Sequence, residues 1–276
     1  MVTDNLTNTV YFSELTRKDF PNVMDDLCGK LRKHGVEHGF LLHTKDYWCR
    51  DYMPIQVKES QYIRYLYSPD YLMDKRAYIT NPDKTLAELD ILTLKTNLIL
   101  DGGNVIKCPH KVIMTEKVFY ENKHLRKNEV ISALEQLFGC EIVFLPWDRT
   151  EIYGHADGIV RWIKGNSVLL TAYEESYYFS RKFREILQRH FDVIPMKYTT
   201  RPRNRQLTWA YINFLQTKNL IVVPAFNIQE DEQALQQIEN AFPDYHGRIE
   251  SVNTSDIIHH GGGLNCISWN IYKSNR

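Results

Sequence analysis

The sequence predicts an α/β fold in which five ββαβ units stand radially about one axis, as a pseudo-symmetric propeller. Three observations carry this. A hairpin–helix–strand pattern recurs along the chain, unusual polar residues cluster where each unit begins, and the last unit is complete only if the two chain ends pair. A unit of this size cannot bury a core alone, whereas neighbours around a ring cover one another. The expected single domain spans residues 1–276, with units at about 48–96, 98–147, 154–198 and 209–253, and a fifth from 263–276 joined with 8–44.

The second unit is the clearest. Asn104–Lys107 and Val112–Thr115 read as strands about a turn at Pro109-His110. Asn128 can cap a helix whose apolar positions, Val130, Ile131, Leu134, Leu137 and Phe138, recur at helical spacing, and Gly139 suits its end. Glu141–Leu145 closes the unit. In the third, strands Ile159–Ile163 and Ser167–Thr171 flank a Lys164-Gly165-Asn166 turn, Ser180 caps a helix carrying Phe183, Leu187 and Phe191, and Val193–Met196 follows. The fourth has strands near Tyr211–Leu215 and Leu220–Pro224, a helix at Asp231–Phe242 and the strand Arg248–Val252. The first is fainter: a hairpin of Asp51–Val57 and Tyr62–Tyr67, a short helix near Lys84–Leu89 and the strand Ile91–Leu94. The fifth draws Cys266–Tyr272 from one end and Thr9–Phe12, a helix over Pro21–Arg32 and Gly39–His43 from the other. Pro21 fits a first helical turn, where its missing N–H costs nothing.

Composition narrows the function. Lysine plus arginine balances aspartate plus glutamate at 34 each, and no long charge run occurs. That argues against a nucleic-acid or membrane-surface partner, so a charged ligand must be met by a local site. The first ten residues lack the pattern of a signal peptide. No stretch approaches the ~20 apolar residues a membrane span needs. The five cysteines form no CxxC pair. A reducing cytoplasm and free thiols are expected.

The chemistry-bearing stretches are Asp46-Tyr47-Trp48-Cys49-Arg50-Asp51, Asp101-Gly102-Gly103-Asn104, Gly154-His155-Ala156-Asp157, Trp209-Ala210-Tyr211-Ile212-Asn213 and His259-His260-Gly261-Gly262-Gly263-Leu264-Asn265-Cys266. Radial packing would bring them to the axis. Cys266, after three glycines, suits a nucleophile equally as it suits a buried inert thiol. His155 and Asp157, two apart, would share one face of a strand, fit for acid–base work beside a cation-holding carboxylate or for a structural pair. Taken alone, Asp51 reads more readily as a partner of Arg50 or the cap of a turn before Pro54. Cys28 and Cys49 read as core. His259 and His260 lack further ligands at metal spacing, so no metal site is expected.

In this order the motifs resemble the agmatine deiminase and Porphyromonas-type peptidylarginine deiminase family of guanidino-group-modifying proteins. The matching residues are Asp46-x-Trp48-x-Arg50-Asp51-x-x-Pro54, Asp101-Gly-Gly-Asn104, Gly154-His155-x-Asp157-x-x-x-Arg161, Tyr211-x-Asn213-Phe214 and Gly261-Gly-Gly-x-x-Cys266-Ile267. The resemblance implies the pentein fold, a five-bladed ββαβ propeller, and no metal or organic cofactor. It implies Cys266 as nucleophile, His155 as general acid and base, and Asp51 and Asp157 as the carboxylates that grip a guanidinium. Trp48, Asp101, Asn104, Asn213 and Arg161 fall to substrate binding. The family pattern has glutamate where this chain has Asp101, and often histidine where it has Asn265. The implied reaction is deimination of a small guanidino compound, agmatine first among candidates. Amidino transfer through the same intermediate, and binding of a guanidine without catalysis, are the alternatives.

Overall fold

The computed structural model describes residues 1–89, 91–172, 177–198 and 209–274. Its strands form five three-stranded sheets of one design. Strands β1 (Thr9–Ser13) and β2 (Glu37–Leu41) lie in the first sheet; β3 (Ile55–Lys58), β4 (Gln61–Leu66) and β5 (Thr93–Ile99) form the second. The third holds β6 (Ile106–Lys107), β7 (Lys111–Thr115) and β8 (Glu141–Leu145), and the fourth β9 (Val160–Lys164), β10 (Ser167–Leu170) and β11 (Asp192–Pro195). The fifth holds β12 (Leu215–Gln216), β13 (Ile221–Ala225) and β14 (Ile249–Asn253), after which β15 (Ser268–Ile271) returns to the first.

In every blade the middle strand runs antiparallel to the strand at the site and parallel to the outer one. An antiparallel step needs only a short turn, whereas a parallel step needs a crossover, and here helices supply it. Thus Gly165, at φ +52°, turns β9 into β10. The ring closes as expected: β15 pairs with β1, with Tyr11 opposite Trp269 and Phe12 opposite Ser268.

The helices show why the periodic positions are apolar. In Lys127–Phe138, Val130, Leu134 and Phe138 are buried, one every fourth residue, and each contributes about 1.5–3 kcal/mol of apolar burial. Gly139 ends it in the left-handed region at φ +66°, its N–H reaching Glu135 O at 2.8 Å. Asn128 lies inside this helix, and not at its cap; Glu129 accepts from the Arg126 N–H at 2.7 Å instead. Likewise Ser180 lies within the helix Tyr178–Leu187, buried beside Phe183 and Leu187. Pro21 opens the helix Pro21–Lys33, which buries Val23, Met24, Leu27, Cys28 and Leu31.

The blade of β3, β4 and β5, the first unit of the sequence, departs from the others. Its crossover carries only the short helix Pro82–Leu86 and two 3-10 turns, Asp70–Leu72 and Arg76–Tyr78. Its last strand is β5 (Thr93–Ile99), longer and later than Ile91–Leu94.

The motif residues also sit differently from expectation. Most stand not on strands but on single helical turns just before them: Cys49–Tyr52, Gly102–Asn104, Ala156–Gly158 and Trp209–Ile212. Neighbouring turns touch around the axis. His155 and Asp157 therefore do not share a strand face; His155 is the extended residue before a 3-10 turn and Asp157 lies within it. The turn, not the two-residue strand repeat, aims both at the same space.

Candidate active site

The turns enclose a cavity of about 540 Å³ whose wall includes Trp48, Asp51, His155, Asp157 and Cys266. Tyr71, Tyr153, Trp209 and Phe183 give it an aromatic lining, with Asp148 and Glu151 beside them. Rings and carboxylates together in one recess suit a planar cation with an apolar tail.

Close backbone approach makes this geometry possible. A Cβ on Gly103 would stand 2.7 Å from both Asp51 Oδ1 and His155 Nδ1, and 3.3 Å from Asp157 Oδ2. The missing side chain lets three polar groups converge, and the Gly103 N–H donates to Asp51 Oδ1 at 2.8 Å. Gly262 plays the matching part for an aromatic wall, since a Cβ there would strike the Trp48 ring.

Cys266 is buried, with Sγ 3.3 Å from Asn213 Oδ1 and 3.6 Å from Asp157 Oδ2. Burial, with Asp157 and Asp51 close by, pushes its thiol well above the ordinary range. A thiol so placed favours its protonated form. The other cysteines are unbridged; Cys49 is fully buried, its Sγ on Ile267 O at 2.9 Å, and so packs as core.

His155 lies between two carboxylates, its Nε2 2.9 Å from Asp101 Oδ2 and its Nδ1 3.6 Å from Asp51 Oδ1. Burial opposes its charge, but Asp51 and Asp101 outweigh that and raise its pKa. Asp51 is pushed up to about 7, by burial first and by Asp101 and Asp157 next, with His155 opposing. Asp101 differs. Burial would raise it, yet the Lys117 ammonium and His155 hold it down to about 2. The two carboxylates that flank the histidine are thus pushed in opposite directions, Asp101 down and Asp51 up.

The remaining expected residues divide. Asp101 lies behind His155 and contributes nothing to the cavity wall. Asn213, fully buried, sits behind Cys266; its Oδ1 accepts from the backbone N–H groups of Asn265 and Cys266 at 3.1 and 3.3 Å. Asn104 does not reach the cavity. Its Oδ1 accepts from the Thr115 N–H at 2.8 Å, so it braces β7. Arg161 also stays out, bonded to Asn265 Oδ1 at 2.9 Å and Asp4 Oδ2 at 3.1 Å, with its guanidinium over the Phe214 ring.

Sequence reading missed Lys117. It is wholly buried, with Nζ 3.1 Å from Asp101 Oδ2, 3.1 Å from Asp70 Oδ1 and 3.2 Å from Glu121 Oε1. It also stands 4.6 Å from the centre of the Tyr71 ring, fastening the short-crossover segment over His155. Four apart on one helix, Lys117 and Glu121 have the spacing of an ordinary helix-surface pair, so no local signal marks the lysine. Trp209 had a usable signal, being the aromatic residue that opens the fourth unit as Trp48 opens the first.

Five radial ββαβ blades with a cysteine, a histidine and two aspartates converging at their axis define a pentein-fold protein. The chain matches the Porphyromonas-type peptidyl-arginine deiminase family over residues 18–271 and belongs to it. A Marinomonas relative provisionally named an agmatine deiminase is 28% identical over 210 residues, covering 62% of this chain and 56% of that protein. The chain thus spans little more than half the length of the first curated relatives it matches. Among solved structures, a provisionally named peptidyl-arginine deiminase aligns with a TM-score of 0.80 at 16% identity, over 99% of this chain and 98% of that one. A C. jejuni agmatine deiminase, a Cys-to-Ser variant with substrate bound, aligns with a TM-score of 0.76 at 19% identity, over 100% of this chain and 96% of that one. At these identities the structural matches speak for the fold.

Proposed function

We propose that the chain is a hydrolase that deiminates a small guanidino compound, agmatine being the first candidate, with Cys266 as nucleophile. The observation that carries this reading is the convergence of Cys266, His155, Asp51 and Asp157 on one cavity. The names of the Marinomonas and C. jejuni relatives support the same direction. Because the site takes residues from all five blades, residues 1–276 act in this reading as one catalytic domain.

A guanidinium entering the cavity meets Asp51 and Asp157, whose oxygens accept from its N–H groups and offset the cost of burying its charge. The same cation relieves the repulsion that keeps the Cys266 thiol protonated. As that cation binds, the Cys266 thiol loses its proton to solvent, the thiolate Sγ attacks the guanidinium carbon, and the C=N π pair moves onto nitrogen, giving a tetrahedral adduct. His155 delivers a proton to the departing nitrogen, the C–N bond breaks and ammonia leaves, with a thiouronium on Cys266. The now neutral His155 takes a proton from water and the hydroxide adds to the same carbon; the S–C bond then breaks with its pair returning to sulfur, the hydroxyl proton passes to that sulfur and the C=O forms. A ureido compound departs; from agmatine it is N-carbamoylputrescine. Trp48 walls the substrate side, and Asp101 orients His155.

A small-molecule substrate and a cytoplasmic setting fit this chemistry, since a reducing compartment keeps five unbridged cysteines free. Among the described residues no helix is long and apolar enough to cross a membrane. The deciding experiment is a panel of agmatine, arginine and other guanidines, with ammonia and ureido product measured together. Deimination yields the two in equal amounts. Transfer to an added amine without ammonia, or turnover that survives Cys266→Ala, would overturn the reading.

A further inference from the structure

Asp157 is the carboxylate nearest the Cys266 sulfur, and its Oδ2 is held by a side chain, not by a backbone turn: Asn265 Nδ2 donates to it at 2.8 Å. The other end of that amide, Oδ1, accepts from Arg161 Nη1 at 2.9 Å. Arg161 Nη2 in turn donates to Asp4 Oδ2 at 3.1 Å. Every link has a single polarity. A carboxylate only accepts and a guanidinium only donates, so the amide between Arg161 and Asp157 has one orientation, oxygen to arginine and nitrogen to aspartate. Phe214 under the guanidinium, 4.7 Å from ring centre to Cζ, fixes its plane. We propose that Asp4 is a positioning residue for the candidate active site, acting through Arg161 and Asn265 to set the direction of the Asp157 carboxylate.

The surroundings say why Asp4 is needed. Arg161 and Arg50 are buried, and the Lys107 ammonium lies 2.9 Å from Asp4 Oδ1. Arg50 binds the Asn265 carbonyl through Nε at 3.2 Å. Without Asp4 the arginine loses the group that holds it away from Asp157 and keeps it aligned with the amide. Burial would raise the Asp4 pKa, but Lys107 and Arg161 hold it well below the ordinary carboxylate range, so its charge persists at working pH. Lys107 shares Asp4 but takes no part in the bonds that lead to Asp157. That separates the relay from general charge balance.

The inference rests on the proposed deiminase reading for its kinetic readout, and a second readout is independent of it. Asp4→Asn should raise KM for the guanidine substrate about tenfold while kcat stays within about threefold, because Asp157 grips ground state and transition state alike. Asp4→Glu should recover most of that loss, and Lys107→Met should keep a KM near wild type. Iodoacetamide modification of the native protein, read on the Cys266 peptide by mass spectrometry, needs no turnover. Asp4→Asn should label about threefold faster or more, because a freed guanidinium favours the thiolate. If Asp4→Asn folds poorly, Asp4→Asn with Lys107→Met removes a carboxylate and an ammonium together, and the same KM and labelling changes are expected. Wild-type KM and labelling in either folded variant would overturn the proposal, as would equal losses in Lys107→Met. A wild type inert on every guanidine would defeat the deiminase reading, and the labelling comparison would still decide the role of Asp4.

Discussion

Asp101 holds His155 through a 2.9 Å contact between Oδ2 and Nε2, and does so from outside the cavity. The histidine is therefore oriented by a carboxylate that no substrate needs to touch. Asp101→Asn would keep the shape but lose the ionic partner. The expected loss in kcat is about 100-fold, within the usual span for acid–base catalysis, with a smaller change in KM. Steady-state kinetics separates the two.

Lys117 is the counter-ion that makes this carboxylate tolerable. Lys117→Met would leave Asp101 and Glu121 without their buried cation. Breaking such a group costs about 3–5 kcal/mol. Urea unfolding should show the loss as a lower midpoint, and the histidine-dependent rate should fall with it.

The pKa of about 7 at Asp51 predicts a proton release on binding. A guanidinium lowers that pKa, so the bound site carries fewer protons than the empty one. Affinity should rise with pH towards about 7 and level off above it, and should fall as pH drops below 7. Calorimetry of a guanidine with the Cys266→Ala variant, in buffers of different ionisation enthalpy, measures the released proton directly. A binding enthalpy independent of buffer at pH 6 would contradict the assignment.

Gly103→Ala tests the crowding at the axis. Its Cβ would stand 2.7 Å from Asp51 Oδ1 and His155 Nδ1, so one or both must move. Misplacement of that size costs about 100-fold in rate. Circular dichroism should remain that of the wild type while kcat/KM collapses.

Asn104 separates bracing from binding. Asn104→Ala leaves the buried Thr115 N–H without its 2.8 Å partner, at a cost of about 1–3 kcal/mol. Thermal or urea unfolding should register it, with KM for the substrate nearly unchanged. A large rise in KM with unaltered stability would return Asn104 to the binding site.

The sequence alone determined the architecture, because blade repetition is written in local signals. Val130, Leu134 and Phe138 mark a helix face, Gly139 its end and Gly165 a hairpin, and each acts over a few residues. It also determined which residues meet, since Asp51, His155, Asp157 and Cys266 occupy equivalent places in units that pack around an axis. Tertiary structure alone decided how they meet. Helical turns replaced strand starts, so same-face reasoning did not govern His155 and Asp157. Arg161 joined Asp4 across 157 positions and Asn265 across 104, and Lys117 joined a buried carboxylate of the neighbouring turn. A side chain's partner at such separations is set by burial and by which donors remain unpaired, and neither is visible until the ring has closed.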